Sequence, residues 1–161
     1  MKFDRKDLIT GFIVLAILAG GYYWLKKSEP TTTPAPTPKI EDKIEDSFKV
    51  NIPEDVDKVE LKDLTGKGVS ALATKKFANK KFESMVLADL PDPDSGKFYQ
   101  AWLVKDTNYV SMGKMRVAKG GWISEFQSST DYSSYKKVVV SLETKFDQTP
   151  EEIILEGTFA N

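Results

Sequence analysis

The chain contains neither cysteine nor histidine among its 161 residues. The absence of cysteine excludes disulfides, thiolate catalysis and a lipid-modified cysteine. The absence of histidine removes the usual zinc ligand sets, together with Ser-His-Asp and Cys-His catalysis. The formal net charge is only −1, which argues against nucleic-acid binding because such domains carry a basic excess. These absences favour a non-enzymatic protein without a cofactor.

One long stretch of the chain is free of charge. It runs from Leu8 to Leu25 and reads LITGFIVLAILAGGYYWL. As a helix, its eighteen residues would extend roughly 27 Å, close to the roughly 30 Å of a bilayer's hydrocarbon core. Tyr22, Tyr23 and Trp24 lie at its end, where aromatic rings favour the membrane boundary. The pattern predicts a single membrane-spanning helix, and a cleaved signal peptide is the alternative.

The seven residues before this stretch indicate its orientation. They include Lys2, Arg5 and Lys6, whereas Lys26 and Lys27 follow the stretch. Basic residues favour the cytoplasmic side of a membrane helix. We therefore expect a plasma-membrane protein with a single span, a cytoplasmic tail over residues 1–7 and an extracytoplasmic remainder.

Residues 26–49 are predicted to be a Pro/Thr-rich and charged linker. Its first part, Ser28 to Pro38, reads SEPTTTPAPTP, a composition that favours extended polyproline II over helix or sheet. The nine residues from Pro30 to Pro38 would reach on the order of 28 Å. This part of the linker is therefore expected to act as a spacer between membrane and domain.

The second part of the linker repeats Lys-Ile-Glu-Asp twice, from Lys39 to Asp46. Ile40, Ile44 and Phe48 follow at intervals of four, the spacing of one edge of an amphipathic helix. Such a helix could lie on the domain or on a partner. A solvated linker that arose by duplication is the simpler interpretation.

From residue 50 onward, short runs rich in Val, Ile, Phe, Tyr and Trp alternate with turn residues. Eight such runs are predicted to be strands: Lys58–Lys62, Val69–Phe77, Phe82–Leu90, Phe98–Lys105, Tyr109–Ala118, Trp122–Gln127, Lys137–Glu143 and Ile153–Phe159. Short strands without a long helical pattern between them predict an all-β antiparallel sandwich, Ig-like in general architecture, over residues 50–161.

Two features of this domain are candidates for an interaction surface. The first is a basic set around one predicted hairpin, Lys75, Lys76, Lys80 and Lys81, which could attract anionic lipid headgroups or wall polymers. A solvated hairpin protected by lysines against edge pairing explains this set equally well. The second comprises exposed aromatic residues such as Trp122 or Tyr109, which could bind a ligand or polymer.

The loop with Asp89, Asp92 and Asp94 offers carboxylate oxygens of the kind that calcium uses. It lacks a distal glutamate at EF-hand spacing, and Pro91 and Pro93 stiffen it. A rigid connection between strands is therefore the preferred interpretation, and no metal is predicted.

Several segments in order resemble the extracytoplasmic C-terminal domain of anti-sigma-K factors. They are Gly96–Val104 (GKFYQAWLV), Ser111–Met115 (SMGKM), Val138–Glu143 (VVVSLE), Thr149–Glu151 (TPE) and Leu155–Gly157 (LEG). The resemblance implies a β-sandwich outside the membrane on a single-pass anchor, with a regulatory role. Members of that family carry a helical sigma-binding region before the membrane helix, and only seven residues precede it here. Direct binding of a sigma factor is therefore not expected.

The leading hypothesis is a membrane-anchored domain with a regulatory or protein-interaction role at the cell envelope and a protein partner there. The alternative is a surface module that binds an envelope ligand or polymer. A hydrolase using Glu83, Glu125, Glu143 or Glu156 is the weakest hypothesis, because isolated acidic residues on strands usually face solvent.

Overall fold

Ten strands and one helix make up residues 39–160, the part of the chain that the computed structural model describes. The helix is α1 (Ile40–Phe48). The strands are β1 (Asp57–Glu60), β2 (Lys62–Asp63), β3 (Ala71–Ala78), β4 (Lys81–Ala88), β5 (Phe98–Lys105), β6 (Asn108–Lys114), β7 (Arg116–Ala118), β8 (Gly121–Ser128), β9 (Lys137–Glu143) and β10 (Glu152–Thr158). Within these residues no helix is long and apolar enough to cross a membrane. The predicted span from Leu8 to Leu25 and the Pro/Thr spacer lie outside the described residues.

The strands form two antiparallel sheets of five strands each. Sheet I has the order β1-β3-β4-β8-β7 and sheet II the order β2-β10-β9-β5-β6. Because side chains alternate across a strand, each sheet contributes one face to a common core. Fully buried members of this core are Ala71, Ala73, Phe82, Val86, Ala101, Leu103, Val138, Val140 and Leu155. The prediction of an all-β antiparallel fold is confirmed.

Two strands bend from one sheet into the other. Leu61 is the bend between β1 and β2, and its N–H donates to Ala71 O at 2.9 Å. Met115 is the bend between β6 and β7, and its N–H donates to Tyr99 O at 2.8 Å. Each sheet therefore ends, on both sides, at a strand that continues into the other sheet. Among residues 39–160, the outer strands β1, β2, β6 and β7 each pair with one neighbouring strand.

Helix α1 forms from the tandem repeat and lies on the outer face of sheet I. Its buried side chains Ile44 and Phe48 form one cluster with Leu72, Leu87 and Ile123 of the sheet. A helix of nine residues is marginal in isolation, so this packing supplies most of its stability. Of the two interpretations of the repeat, the amphipathic helix is the one that the structure shows, and the solvated linker is wrong for these residues.

Polar contacts fix both the helix and the segment that follows it. Glu45 Oε1 accepts a hydrogen bond from Ile52 N at 2.6 Å, which folds the chain back after the helix. Glu41 Oε1 lies 2.6 Å from the ammonium of Lys58 at the start of β1. The helix is thus joined to sheet I by apolar packing and by an ion pair.

The loop between β2 and β3 is organised by the carboxylate of Asp63. Oδ1 accepts hydrogen bonds from Thr65 N and Thr65 Oγ1 at 2.7 and 2.6 Å, and Oδ2 from Gly68 N and Val69 N at 2.8 and 3.2 Å. These donors, Thr65 first among them, hold the pKa of the Asp63 carboxyl far below its usual range. The ionised carboxylate is therefore the form that stabilises the loop.

We expect Asp63→Asn to lower the free energy of unfolding by about 1 kcal/mol at pH 7, because an amide offers one acceptor oxygen instead of two. The folded-state pKa is depressed, so this stabilisation is present above the unfolded-state pKa of about 4 and is lost as the pH falls below it. Urea unfolding should show the difference between variant and wild type shrinking from pH 4 to pH 2. Asp147→Asn, which affects a single bond from Thr149 N, is the control with a smaller effect. A difference that does not change with pH would contradict the expectation.

Candidate interaction surfaces

The β3–β4 hairpin carries the four lysines that the sequence singled out. Its strands pair from Ala71 with Ala88 to Ala78 with Lys81. The two turn residues, Asn79 and Lys80, have φ values of 52° and 61°, as a two-residue hairpin turn with matching twist requires. Asparagine adopts a positive φ readily, so Asn79 suits the first turn position. Lys80 occupies the second, where glycine is favoured, and its backbone conformation costs roughly 1 kcal/mol relative to glycine.

Lys75 does not belong to the exposed surface of this hairpin. Lys75 is only 5% exposed, and its Nζ donates to the carbonyls of Ser133 and Tyr135 at 2.9 and 3.1 Å. The same Nζ lies 4.6 Å from the centroid of the Phe159 ring. Burial lowers the pKa of Lys75. This side chain fastens the loop after β8 to strand β3.

The other three lysines differ in their partners. Lys76 points to the opposite face from Lys75, because neighbours on a strand alternate, and it pairs with Asp55. Lys81 lies 2.7 Å from the carboxylate of Glu83. Lys80 is exposed and has no ion pair among the described residues. The four lysines are therefore brought to one hairpin but not to one surface.

An exposed aromatic ring accompanies Lys80 at the end of the hairpin. Phe77 is 40% exposed, although the residue opposite it in the ladder, Phe82, is fully buried. We refer to residues 77–81 as the hairpin tip. Its exposed groups are one aromatic ring, one unpaired ammonium and one ammonium with a carboxylate partner.

The two aromatic candidates take part in packing. Trp122 is half-buried and meets the ring of Tyr99 edge-on, with 5.3 Å between centroids. The hydroxyl of Tyr99 donates to Pro91 O at 3.0 Å. Tyr109 is also half-buried and contacts the ring of Trp102 edge-on at 6.2 Å. Each ring thus offers only part of its surface to a ligand.

An open groove of about 210 Å³ lies on the outer face of sheet I. Pro53, Val56 and Met85 give it apolar walls, and Glu83 and Glu125 line it as well. Both carboxylates are paired, Glu83 with Lys81 and Glu125 with Arg116. The groove is therefore a shallow contact surface with neutralised charges and not a pair of free acids. Sequence reasoning missed it because its lining comes from four separate segments of the chain, within residues 53–56, 74–76, 83–85 and 125–127.

The acidic loop before β5 does not gather its carboxylates. Asp94 pairs with Lys97 at 3.1 Å, and its carbonyl accepts a hydrogen bond from Lys97 N at 2.9 Å. Within residues 39–160 no group of three or more acidic, histidine or cysteine side chains could hold a metal ion. Asp89 and Asp92 lie in the same segment between β4 and β5.

Two fully buried polar side chains lie on neighbouring strands of sheet II. Glu143 Oε1 accepts a hydrogen bond from Glu151 N at 3.0 Å, and Gln100 Nε2 donates to Ser111 Oγ at 3.0 Å. The second carboxylate oxygen of Glu143, Oε2, and the amide oxygen of Gln100, Oε1, have no hydrogen-bond partner. Because both residues are inaccessible, neither oxygen is offered to a ligand at the surface, and their bonded atoms serve the fold.

The segments that carry the family resemblance are neighbours in the structure. Gly96–Val104 contains most of β5, and Val138–Glu143 contains most of β9, and these two strands pair directly, with Gln100 opposite Ser141. No curated protein and no solved structure matches the chain. The model of the family described as anti-sigma-K factor rskA, C-terminal, matches residues 10–152, which is most of the chain. The chain therefore belongs to the anti-sigma-K factor family, through its C-terminal domain.

Proposed function

We propose that this protein is a non-enzymatic regulator at the cell envelope, which acts through contacts with a protein partner. The observation that carries the proposal is the extent of the family match. It begins at residue 10, inside the uncharged stretch, and ends at residue 152, where β10 begins. The stretch and the β domain are therefore parts of one family unit, as a membrane-anchored regulatory module requires.

In this proposal the chain has four parts. Residues 1–7 are a cytoplasmic tail, 8–25 a single plasma-membrane span, 26–49 a linker, and 50–161 an extracytoplasmic sandwich of Ig-like general architecture. Helix α1 modifies the linker, because its apolar edge packs on sheet I. The part of the linker that can act as a free spacer then ends before Ile40.

The groove on sheet I is the surface that we assign to the protein partner. Its apolar walls and paired charges resemble the composition of transient protein interfaces, which combine apolar contacts with a polar rim. The polymer-binding alternative uses either the lysine hairpin or exposed aromatic residues such as Trp122 or Tyr109. Lys75 is buried and Trp122 packs on Tyr99, so no observation favours that alternative.

The topology can be tested with single cysteines, because the chain has none of its own. Thr107→Cys lies in the exposed turn between β5 and β6, and Lys2→Cys lies in the N-terminal tail. In intact cells a membrane-impermeant maleimide should label Thr107→Cys and should label Lys2→Cys only after lysis. The reverse pattern, or labelling of neither cysteine before lysis, would contradict the proposed orientation.

The partner surface can be tested by photo-crosslinking in cells. A photoreactive residue in place of Gln127, which is exposed and lines the groove, should yield a defined crosslinked protein. The matched control is the same residue at Thr107, which is exposed but lies on a turn outside the groove. Equal products from both positions, or none from either, would argue against the groove as the contact surface.

A further inference from the structure

We propose that the hairpin tip, residues 77–81, docks on the anionic surface of the membrane that holds the protein. This inference rests on the proposed membrane anchor and goes beyond it, because it assigns a second membrane contact to the folded domain. It concerns a lipid surface and not the protein partner of the groove.

The first argument is the chemistry that the tip exposes. The aromatic ring of Phe77 is 40% exposed at the end of the hairpin. Lys80, in the turn of the same hairpin, is exposed and has no ion pair among residues 39–160. Aromatic rings favour the headgroup region of a bilayer, and lysines gain attraction from anionic lipids. A partly exposed ring and an ammonium without an ion pair, both within the five residues of the hairpin tip, fit both requirements.

The second argument is the backbone of Lys80. Its φ of 61° lies in the left-handed region. Asn79 and Lys80 are the two residues of the turn, and glycine is the favoured residue after asparagine in a turn of this kind. Lysine at this position carries a backbone cost that a glycine would avoid. A residue held in a strained conformation points to a role for its side chain. The exposed ammonium is what lysine adds at this point.

The third argument is reach. Thirteen residues, 26–38, separate the uncharged stretch from the described domain. As polyproline II, the proline-rich part of them would extend on the order of 28 Å. Strand β3 has eight residues, which is about 27 Å of length. The extended length of the tether is therefore comparable to the length of the domain along β3, so the tether is long enough for a surface of the domain to contact the membrane. A short tether of this kind gives an effective concentration in the millimolar range, so a weak site is sufficient.

The exposed ring favours a lipid surface over a soluble polyanion. Phe77 gains by leaving water for the apolar part of the headgroup region, and a hydrated polymer offers no such environment. Lys76 and Lys81, which a polyanion would need, are already paired with Asp55 and Glu83. Of Lys76, Lys80 and Lys81, only Lys80 therefore keeps an ammonium without a carboxylate partner in this part of the chain.

The test uses the full chain reconstituted in vesicles, with one cysteine introduced by Ala78→Cys and labelled with an environment-sensitive fluorophore. Spin-labelled lipid should quench the fluorophore in vesicles of phosphatidylcholine with phosphatidylglycerol, and much less in phosphatidylcholine alone. Adding Lys80→Gln should weaken docking about fivefold, the effect expected for one lysine near an anionic surface. Adding Phe77→Ala should reduce the quenching further.

Lys67→Cys, in the exposed loop at the opposite end of β3, is the control that should show no quenching in either lipid.

The outcomes separate this inference from the anchor on which it rests. A chain that floats with vesicles and resists extraction by high salt, yet shows no quenching at residue 78, would overturn the docking site and leave the anchor. A chain that does not float would overturn the proposed anchor. Quenching that is equal in both lipids, or unchanged by Lys80→Gln and Phe77→Ala, would also overturn the docking site. So would a fluorescence change produced only by a soluble polyanion.

Discussion

Replacing Gly120 with alanine should destabilise the domain by about 3 kcal/mol or more and should release helix α1 from sheet I. Gly120 has a φ of 92°, and a Cβ built on it would lie 2.5 Å from both Ser47 C and Ser47 O and 2.9 Å from Phe48 N. Backbone atoms at the end of the helix cannot yield as a flexible side chain would. The strained φ contributes about 1–3 kcal/mol, and displacement of α1 exposes Ile44 and Phe48, each of which contributes about 1.5–3 kcal/mol when fully buried.

Gly113→Ala is the matched control for this variant. Its φ of 91° is nearly the same, but a Cβ at Gly113 would have no atom within 4 Å. The control therefore measures the cost of the backbone conformation without the collision. The difference between the two variants reports how much of the stability depends on the close approach of the β7–β8 hairpin to α1.

Hydrogen–deuterium exchange of the full chain in detergent, resolved by peptide, distinguishes release of the helix from global unfolding. In Gly120→Ala the amides of residues 44–48 should exchange much faster than in Gly113→Ala, while β5 and β9 stay protected. Equal protection of α1 in both variants would show that the hairpin and the helix are not coupled.

The sequence predicts a strand well where a change from apolar to charged or turn residues marks both of its ends. The sequence predicts Phe98–Lys105 and Lys137–Glu143 with the bounds that the structure shows, because each is a mostly apolar run that ends at charged or turn residues. The bends at Leu61 and Met115 were not predicted. A strand that passes from one sheet to the other keeps its extended, alternating pattern, so eight predicted strands became ten.

The tandem repeat shows a different limit. The spacing of Ile40, Ile44 and Phe48 was visible in the sequence, but a helix of nine residues forms only if a surface receives its apolar edge. That surface consists of Leu72, Leu87 and Ile123, from three strands that are far from the repeat in the chain. Local pattern alone could not decide between the helix and the solvated linker.

The separation of Lys75 from Lys76 can be predicted from the sequence. Lys75 and Lys76 are consecutive residues within a predicted strand, and consecutive side chains on a strand face opposite sides. Their separation into a buried and an outward-facing residue follows from that rule. What the sequence could not supply is the fixation of Lys75 by carbonyls of Ser133 and Tyr135, because nothing local relates β3 to that loop.

A second large effect is expected in the core, where Phe82→Ala should lower the free energy of unfolding by about 3–5 kcal/mol. Phe82 is fully buried between the sheets. Its ring centroid lies 5.6 Å from that of Tyr132 and 6.3 Å from that of Phe126. Alanine at this position leaves a cavity under the loop that Lys75 also fastens, so the loss includes aromatic contacts as well as buried area.

Phe77→Ala is the matched control, because Phe77 lies directly opposite Phe82 in the ladder but is 40% exposed. Its removal should cost about 1–2 kcal/mol, well below the loss at Phe82, because only part of the Phe77 ring is buried and could lose protection from water on truncation. Urea unfolding of both variants, followed by circular dichroism, gives the comparison. Similar losses would mean that the hairpin tip belongs to the core. A small loss of unfolding free energy at Phe77 and a large one at Phe82 would mean that the ring of Phe77 is dispensable for folding. An effect of Phe77→Ala on membrane docking would then reflect contact with lipid and not unfolding.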